Sequence, residues 1–273
     1  MNWLGDHEAA WQPGLAIGKY SRMFVTSNDR MIAVDTNGDP LLLDLDDAVV
    51  ADYEPVLAGT LDDVNYYGVR GEIIGSLQYQ PLRPILIQTR SAQFVPVSAA
   101  MQVLDFLHEH QFCGQCGRPT TPSRSDRGRT CESCQLTQYP RISPCVIVLV
   151  TRGDELLLAR APRFVDGMYS TLAGFVEAGE SAEHACHREI FEEVGVEIST
   201  PIYQGSQSWP FKHSLMLGYH AEWRLGDIKI DGNEIIDAQW FKIDNLPKLP
   251  PRASISRGMI DAFISERFNS QER

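Results

Sequence analysis

The sequence predicts an α+β protein in three parts: a β-rich N-terminal domain over 1–110 ending in a helix, a cysteine ribbon over 111–139, and a third domain over 140–273. Three observations lead there. Short apolar runs broken by Gly, Pro and Asn-Gly fill the first hundred residues. Four cysteines then fall in two C-x2-C pairs. Beyond residue 140, strand-like apolar runs alternate with two segments of helical periodicity. At 273 residues the chain is long enough for a sizeable core. Its 43% hydrophobic and 22% charged residues are ordinary for a globular protein.

In the first part, "RMIAVDTNGDPLLLDL" places two apolar runs around Asn37-Gly38-Asp39, which predicts a hairpin. "YYGVRGEIIGSL" and "PILIQTR" read as further strands, and the acidic run "DLDD" as solvated surface. "SAAMQVLDFLHEHQF" sets Met101, Leu104 and Leu107 at helical spacing, widened by Val103 and Phe106. His108 and His110 read as helix-terminal surface residues. No catalytic constellation stands out in this part.

The four cysteines Cys113, Cys116, Cys131 and Cys134 are spaced C-x2-C-x14-C-x2-C, which fits a ribbon holding one tetrahedral zinc ion. Two disulfides fit poorly in a chain without an export signal. Four sulfur donors leave no open position, so this zinc reads as structural. Cys145 and Cys186 lie in apolar contexts and read as packing residues. The formal net charge of −12 argues against broad nucleic-acid binding. One stretch departs from it: Arg118, Arg124, Arg127, Arg129 and Arg141 against Asp126 and Glu132. A solvated face and a polyanion contact both fit. The longest apolar run, "CVIVLV", spans nothing, so a cytoplasmic protein without a membrane segment is expected.

In the third part, "CVIVLV" and "ELLLAR" flank Thr151–Asp154 as a buried hairpin, and "STLAGFVEAGE" follows as strand and loop. "SAEHACHREIFEEVG" reads as a helix with Ser181 as N-cap, Gly195 as stop, and Ala182, Cys186, Ile190 and Val194 as its buried stripe. "LMLGYHAEW" and "AQWFKI" read as strands and "SISRGMIDAFISERF" as a closing helix.

On the acidic helix, Glu189 and Glu193 are i, i+4 neighbours, and Glu192 shares their face. Like charges so placed repel, and a hard divalent cation such as Mg²⁺ or Mn²⁺ would relieve that. The surroundings give this weight. From Gly174 the chain reads "GFVEAGESAEHACHREIFEEVGV", which resembles the Nudix box at every fixed position. The resemblance implies an α/β/α sandwich with a mixed sheet and metal-dependent hydrolysis of a nucleoside diphosphate linked to another group. It implies that Glu189 and Glu193 ligate two or three Mg²⁺ or Mn²⁺ ions with the carbonyl of Ala173. Glu192 would complete the carboxylate cluster or orient water, and Arg188 and Glu180 would be a bracing ion pair. The general base is left open.

The Nudix box reports chemistry and not substrate. "SQSWPFKHS", ten residues beyond it, is similar to the SQPWPFPxS segment of the NADH pyrophosphatase branch at Ser206, Gln207, Trp209, Pro210, Phe211 and Ser214. Ser208 and Lys212 stand where that pattern has prolines. "YPRISP", "LPPRASISR" and the ribbon extend the resemblance over most of the chain from Cys113. It implies hydrolysis of NADH or NAD to a nicotinamide mononucleotide and AMP, removal of the NAD cap from RNA, and a homodimer. The substrate residues it implies are Gln207, Ser208, Trp209, Pro210, Phe211, Lys212, His213 and Ser214, with Tyr139 and Phe175 as aromatic faces, and Ser256. Glu234 would be a further metal ligand at the substrate, with Glu222 its rival. For Lys212, a phosphate or ribose contact and a solvent-facing lysine both fit. A Nudix enzyme for ADP-ribose or a dinucleoside polyphosphate, and a zinc-ribbon regulator, are the competing readings.

Overall fold

A computed structural model describes residues 12–13, 18–27, 29–45, 54–71, 76–88, 93–123, 126–230 and 232–271. These fall into two compact units. One comprises Leu4–Ile142 together with Pro210–His213, and the other includes Ser143–Trp209 and Ser214–Arg273.

The first unit carries β1 (Gln12–Pro13), β2 (Tyr20–Ser27), β3 (Met31–Val34), β4 (Val56–Leu61), β5 (Val64–Gly71) and β6 (Gln78–Pro81). Among the described residues these form a sheet in the order β1-β4-β5-β2-β3-β6. The reversal at Asn37-Gly38 is present, with Gly38 at φ +85° and Leu41 N–H returning to Ala33 O at 2.9 Å. "PILIQTR" is not a strand: its residues 84–88 lie in helix α1 (Leu82–Gln88), and Thr89 and Arg90 lie outside the described residues. Leu82, Ile85 and Leu86 are its buried residues, an i, i+3, i+4 set, and Pro84 sits in the first turn, where no intrahelical N–H is required. Helix α2 (Phe94–Glu109) starts four residues ahead of the predicted Ser98 and buries Phe94, Val97, Met101 and Leu104. Asp105 on α2 pairs with Arg30 at 2.6 Å and with Arg70. The ribbon follows as β7 (Thr121–Pro122), β8 (Arg129–Thr130) and β9 (Thr137–Gln138). Asp46, Asp47 and Arg124 lie outside the described residues.

The second unit is built on β10 (Ser143–Arg152), the strand of "CVIVLV". One half of β10 pairs antiparallel with β11 (Glu155–Arg160), the other with β12 (Leu172–Phe175). Helix α3 (Ala182–Val194), β13 (Glu197–Ile198), β14 (Ile202–Trp209), β15 (Ser214–Leu225), β16 (Asp237–Lys242) and helix α4 (Ile255–Gln271) complete the unit. β15 runs parallel to β10 over nine residues and antiparallel to β14, so the sheet is mixed. Alternation along β10 makes the layers. Val146, Val148 and Val150 pack with Ala185, Cys186, Ile190 and Val194 of α3, while Ile147 and Leu149 pack with Ile255, Met259 and Ile260 of α4. The expected α/β/α arrangement is thus written into one strand. Each fully buried aliphatic here contributes about 1.5–3 kcal/mol.

Helix α3 has the predicted ends. Ser181 Oγ accepts from His184 N–H at 3.2 Å, and Gly195 closes the helix at φ +72°. Its two faces give a direct check. Ile190 is fully buried whereas its neighbour Phe191 is 58% exposed. Ile190→Ala is expected to lower the unfolding free energy by about 2–5 kcal/mol in urea titrations, and Phe191→Ala to change it by no more than about 0.5 kcal/mol.

Candidate functional site

The site is organised from the middle of α3 by one guanidinium. Arg188 forks onto Glu180, with Nε to Oε1 and Nη2 to Oε2 both at 2.8 Å. Its Nη2 also donates to the carbonyl of Phe175 at 2.9 Å, and its Nη1 to Glu189 at 2.8 Å and Glu192 at 3.0 Å. One side chain thereby ties the end of β12, the following loop and the acidic face of α3 together. Glu180 also accepts from Glu177 N–H at 3.1 Å and lies 2.7 Å from His184 Nδ1. These donors, Arg188 first, hold its carboxyl down at about 2. The bracing role expected of this pair is visible in the geometry, and Arg188 reaches further than the sequence suggested.

Glu189 lies against the backbone of Gly174. A Cβ built at Gly174 would stand 1.8 Å from the Glu189 carboxyl carbon, so no larger residue leaves room for it. Burial pushes the Glu189 carboxyl up, against the pull of Arg188, and the charges of Glu192 and Glu234 push the same way. Glu193, one turn on, is only 7% exposed. Burial, then the charges of Glu189 and Glu193, also push the nearby Cys145 thiol up to about 12, so it stays an uncharged packing group. Glu234 is exposed and stands close enough for its charge to act on Glu189. Glu222 is opposite Thr151, six residues along β10 from Cys145, roughly 20 Å at strand spacing. Its charge acts on His220 instead, whereas the charge of Glu234 acts on Glu189.

These residues present only oxygen donors, the set that suits Mg²⁺ or Mn²⁺, and the notch at Gly174 seats a carboxylate where a backbone carbonyl is one residue away. Among the described residues, the one group of three or more candidate donors already gathered within 4.8 Å is that of the four cysteines. The carboxylates of α3 are instead drawn out along Arg188. A cation would neutralise the same charges that the guanidinium now shares.

Register lines up the expected substrate residues. Phe175 is opposite Cys145, Cys145 beside Met216, and Met216 opposite Gln207. Phe175 and Gln207 are therefore in one row, three strand spacings or about 14 Å apart. Phe175 is half exposed and Trp209, opposite Ser214, is partly exposed at the end of β14. Four residues named as substrate contacts, Gln207, Pro210, Ser214 and Ser256, are buried. Gln207 is fully buried with both ends of its amide bonded, and Ser256 is 2% exposed within a hydroxyl cluster. Ser214 is buried where β15 begins. The amide and hydroxyl types that suit a substrate contact suit an internal clamp equally well, and the sequence does not separate them.

In the other unit, the turn Pro210–His213 is held by residues the sequence did not single out. Arg30 Nη2 donates to Pro210 O at 2.6 Å, the Arg83 guanidinium stands 5.2 Å from the Phe211 ring centre, and Lys212 Nζ is 3.3 Å from Glu109. Pro210 is buried and Lys212 exposed. Ser208, on β14, is partly exposed. Tyr139 is exposed beside Asp126, its hydroxyl 3.4 Å from the carboxylate. Arg118 and Arg141 are exposed, while Arg127 and Arg129 are partly buried. Arg118 bonds Ser133, Arg127 bonds Ala58 O, and Arg129 bonds Thr120 twice.

The two knuckles repeat one hydrogen-bond pattern. Gly117 N–H returns to Cys113 O and Gln135 N–H to Cys131 O, both at 2.8 Å, with Gly117 and Gln135 at positive φ. Sulfur separations of 3.4 Å for Cys113–Cys134, 3.6 Å for Cys116–Cys131 and 3.8 Å for Cys116–Cys134 are far from a disulfide. They match the edge of about 3.8 Å that four Zn–S bonds of about 2.3 Å define in a tetrahedron. Backbone N–H groups hold the Cys113 and Cys131 thiols down, Cys131 at about 6, while the thiols beside them push Cys116 and Cys134 up. This is a structural zinc site.

The Glu180–Arg188 fork carries a pH signature. The folded carboxyl sits at about 2, below the unfolded value of about 4.3, so its contribution is complete above that value and disappears as pH falls through the interval down to 2. Glu180→Gln is therefore expected to be less stable than the parent in urea titrations at pH 7. The gap should narrow at pH 3.5 and narrow further at pH 3.

Residues 141–263 match the NUDIX domain, and residues 108–139 match the NADH pyrophosphatase zinc ribbon domain. Over 203 residues the chain is 52% identical to the NAD-capped RNA hydrolase NudC of Pseudomonas syringae pv. syringae, spanning 74% of this chain and 73% of that one. It is 48% identical over 221 residues to the NAD-capped RNA hydrolase NudC of Stutzerimonas stutzeri, spanning 81% and 78%. A crystal structure of a NUDIX hydrolase from Nitrosomonas europaea shares the fold at a TM-score of 0.51 and 20% identity, over 58% of this chain and 93% of its own. The chain is a Nudix hydrolase and belongs to the family of NAD-capped RNA hydrolases of the NudC type.

Proposed function

We propose that this enzyme hydrolyses the pyrophosphate bond of NADH or NAD to a nicotinamide mononucleotide and AMP, and removes the NAD cap from RNA 5′ ends by the same cleavage. The observation that carries the reading is the sheet register. It sets Phe175, next to the Gly174 that Glu189 lies against, and Gln207 of β14 in one row across four neighbouring strands. A dinucleotide needs two flat surfaces flanking a polyanion centre, and base–aromatic stacking contributes about 1–3 kcal/mol per ring. Phe175, Trp209, Phe211 and Tyr139 are the rings assigned to it, and Ser208, Lys212 and His213 the polar side chains assigned to it. Gln207, Ser214 and Ser256 serve from inside, through the segments they hold.

Glu189, Glu193, Glu234 and the carbonyl of Ala173 are the groups assigned to hold Mg²⁺ or Mn²⁺. Such ions, when bound, polarise the phosphates and make bound water more acidic. Glu192 orients or deprotonates the attacking water, and Arg188 holds Glu189 and Glu192 at a fixed spacing while no cation does. Oxygen from water joins one phosphorus as the bridging oxygen leaves with the other. We further propose a division into 1–110, 111–139 and 140–273, a homodimer, and a cytoplasmic location. Among the described residues no helix is long and apolar enough to cross a membrane. Light scattering on the purified protein reads the mass against twice 30.6 kDa.

The test is a side-by-side kcat/KM for NADH, NAD⁺, ADP-ribose and NAD-capped RNA, with products identified. NADH is expected to yield AMP and the reduced mononucleotide. Glu193→Gln should lose on the order of 10²–10³ in kcat with the fold intact. A preference for ADP-ribose would replace the substrate assignment and leave the chemistry standing. Full turnover by Glu193→Gln would remove the carboxylates from the mechanism.

A further inference from the structure

Gln207 and Ser256 are linked in a way that points at the metal site from behind. Gln207, on β14, donates from Nε2 to Ala253 O at 2.7 Å and accepts from Ile255 N–H at Oε1 at 2.8 Å. It thus satisfies a backbone donor at the start of α4, the work of an N-cap, from 48 residues away. One residue further, Ser256 Oγ accepts from Thr171 N–H at 3.3 Å and from Thr171 Oγ1 at 2.9 Å, and lies 3.0 Å from Ser170 Oγ. Ser170 is pinned in turn, its N–H and its carbonyl each paired with Ala159 at 2.9 Å. Gln207, Ser256, Thr171 and Ser170 are all buried. Thr171 immediately precedes β12, the strand of Ala173 and Gly174.

We propose that Gln207, Ser256 and Thr171 form a positioning relay that fixes the entry to β12, and through it the place of the Ala173 carbonyl at the divalent-cation site. The inference rests on the assignment of that carbonyl as a ligand. A backbone ligand has no rotamer to adjust, so its position is set by whatever holds the chain on either side. Beyond Ala173, Arg188 grips the Phe175 carbonyl; before it, Ser256 grips Thr171. Mg²⁺ demands near-ideal octahedral geometry, so a small displacement at either grip reaches the ion. The relay also gives Gln207 of the SQSWPF segment a role that needs no substrate contact.

The experiment is Mn²⁺ binding to the zinc-loaded, full-length protein without substrate, read by electron paramagnetic resonance, with thermal melts alongside. Ser256→Ala and Thr171→Val are expected to weaken Mn²⁺ by about tenfold, whereas Thr171→Ser, which keeps the hydroxyl, should bind as the parent does. If Ser256→Ala fails to fold, the pair at Thr171 carries the comparison. Unchanged Mn²⁺ affinity in Ser256→Ala and Thr171→Val, in a protein whose Glu193→Gln variant loses the ion, overturns the relay alone. Equal weakening in Thr171→Ser and Thr171→Val also overturns it. A parent protein that binds no Mn²⁺ overturns both the relay and the ligand assignment.

Discussion

Everything at the site depends on the Arg188 guanidinium. Its five N–H donors reach Glu180, Glu189, Glu192 and the Phe175 carbonyl, so a strand end, a loop and a helix face share one rigid planar group. Without it, Glu180 would be an almost buried carboxylate lacking its chief counter-charge, and Glu189 and Glu192 would repel across less than a turn. A Lys would supply the charge but not the fork. The same arrangement explains the need for glycine at 174, since the Glu189 carboxylate occupies the volume a side chain would take.

The second constraint is the central strand β10. Its alternating residues build both helix layers. Its N-terminal half pairs with β12 on one edge and β15 on the other, and that choice puts Phe175 and the β14 segment in register. β12, which lies against Glu189 of α3, and the β14–β15 hairpin thus flank one buried strand on its two edges. The hydroxyl cluster at Ser256 joins the α4 side back to β12.

The α3 boundaries, the zinc ligands, the β10–β11 hairpin and the ion pair of Glu180 with Arg188 were all legible in the sequence, because each follows from short-range spacing or a local cap. What was not legible depended on tertiary partners. "PILIQTR" carries a helical buried set, Leu82, Ile85 and Leu86, that begins before its proline, and a run of alternating branched residues hid it. In sequence, the amide of Gln207 and the hydroxyl of Ser256 look the same whether they face a ligand or, as here, Ile255 and Thr171. Arg30, Arg83 and Glu109, which hold the 210–213 turn, lie 100 to 180 residues away in sequence, and no local pattern marks them.

The central claim is that the Arg188 fork sets the geometry in which the α3 carboxylates do their chemistry. The most direct measurement is kcat/KM for NADH with Mn²⁺ in Arg188→Lys, compared with the parent protein at matched thermal stability. A fall of about 10–100-fold is predicted, since the charge remains and only the multi-dentate hold is lost. A parent-like kcat/KM in Arg188→Lys would contradict the account, because the carboxylates would then be organised without the fork.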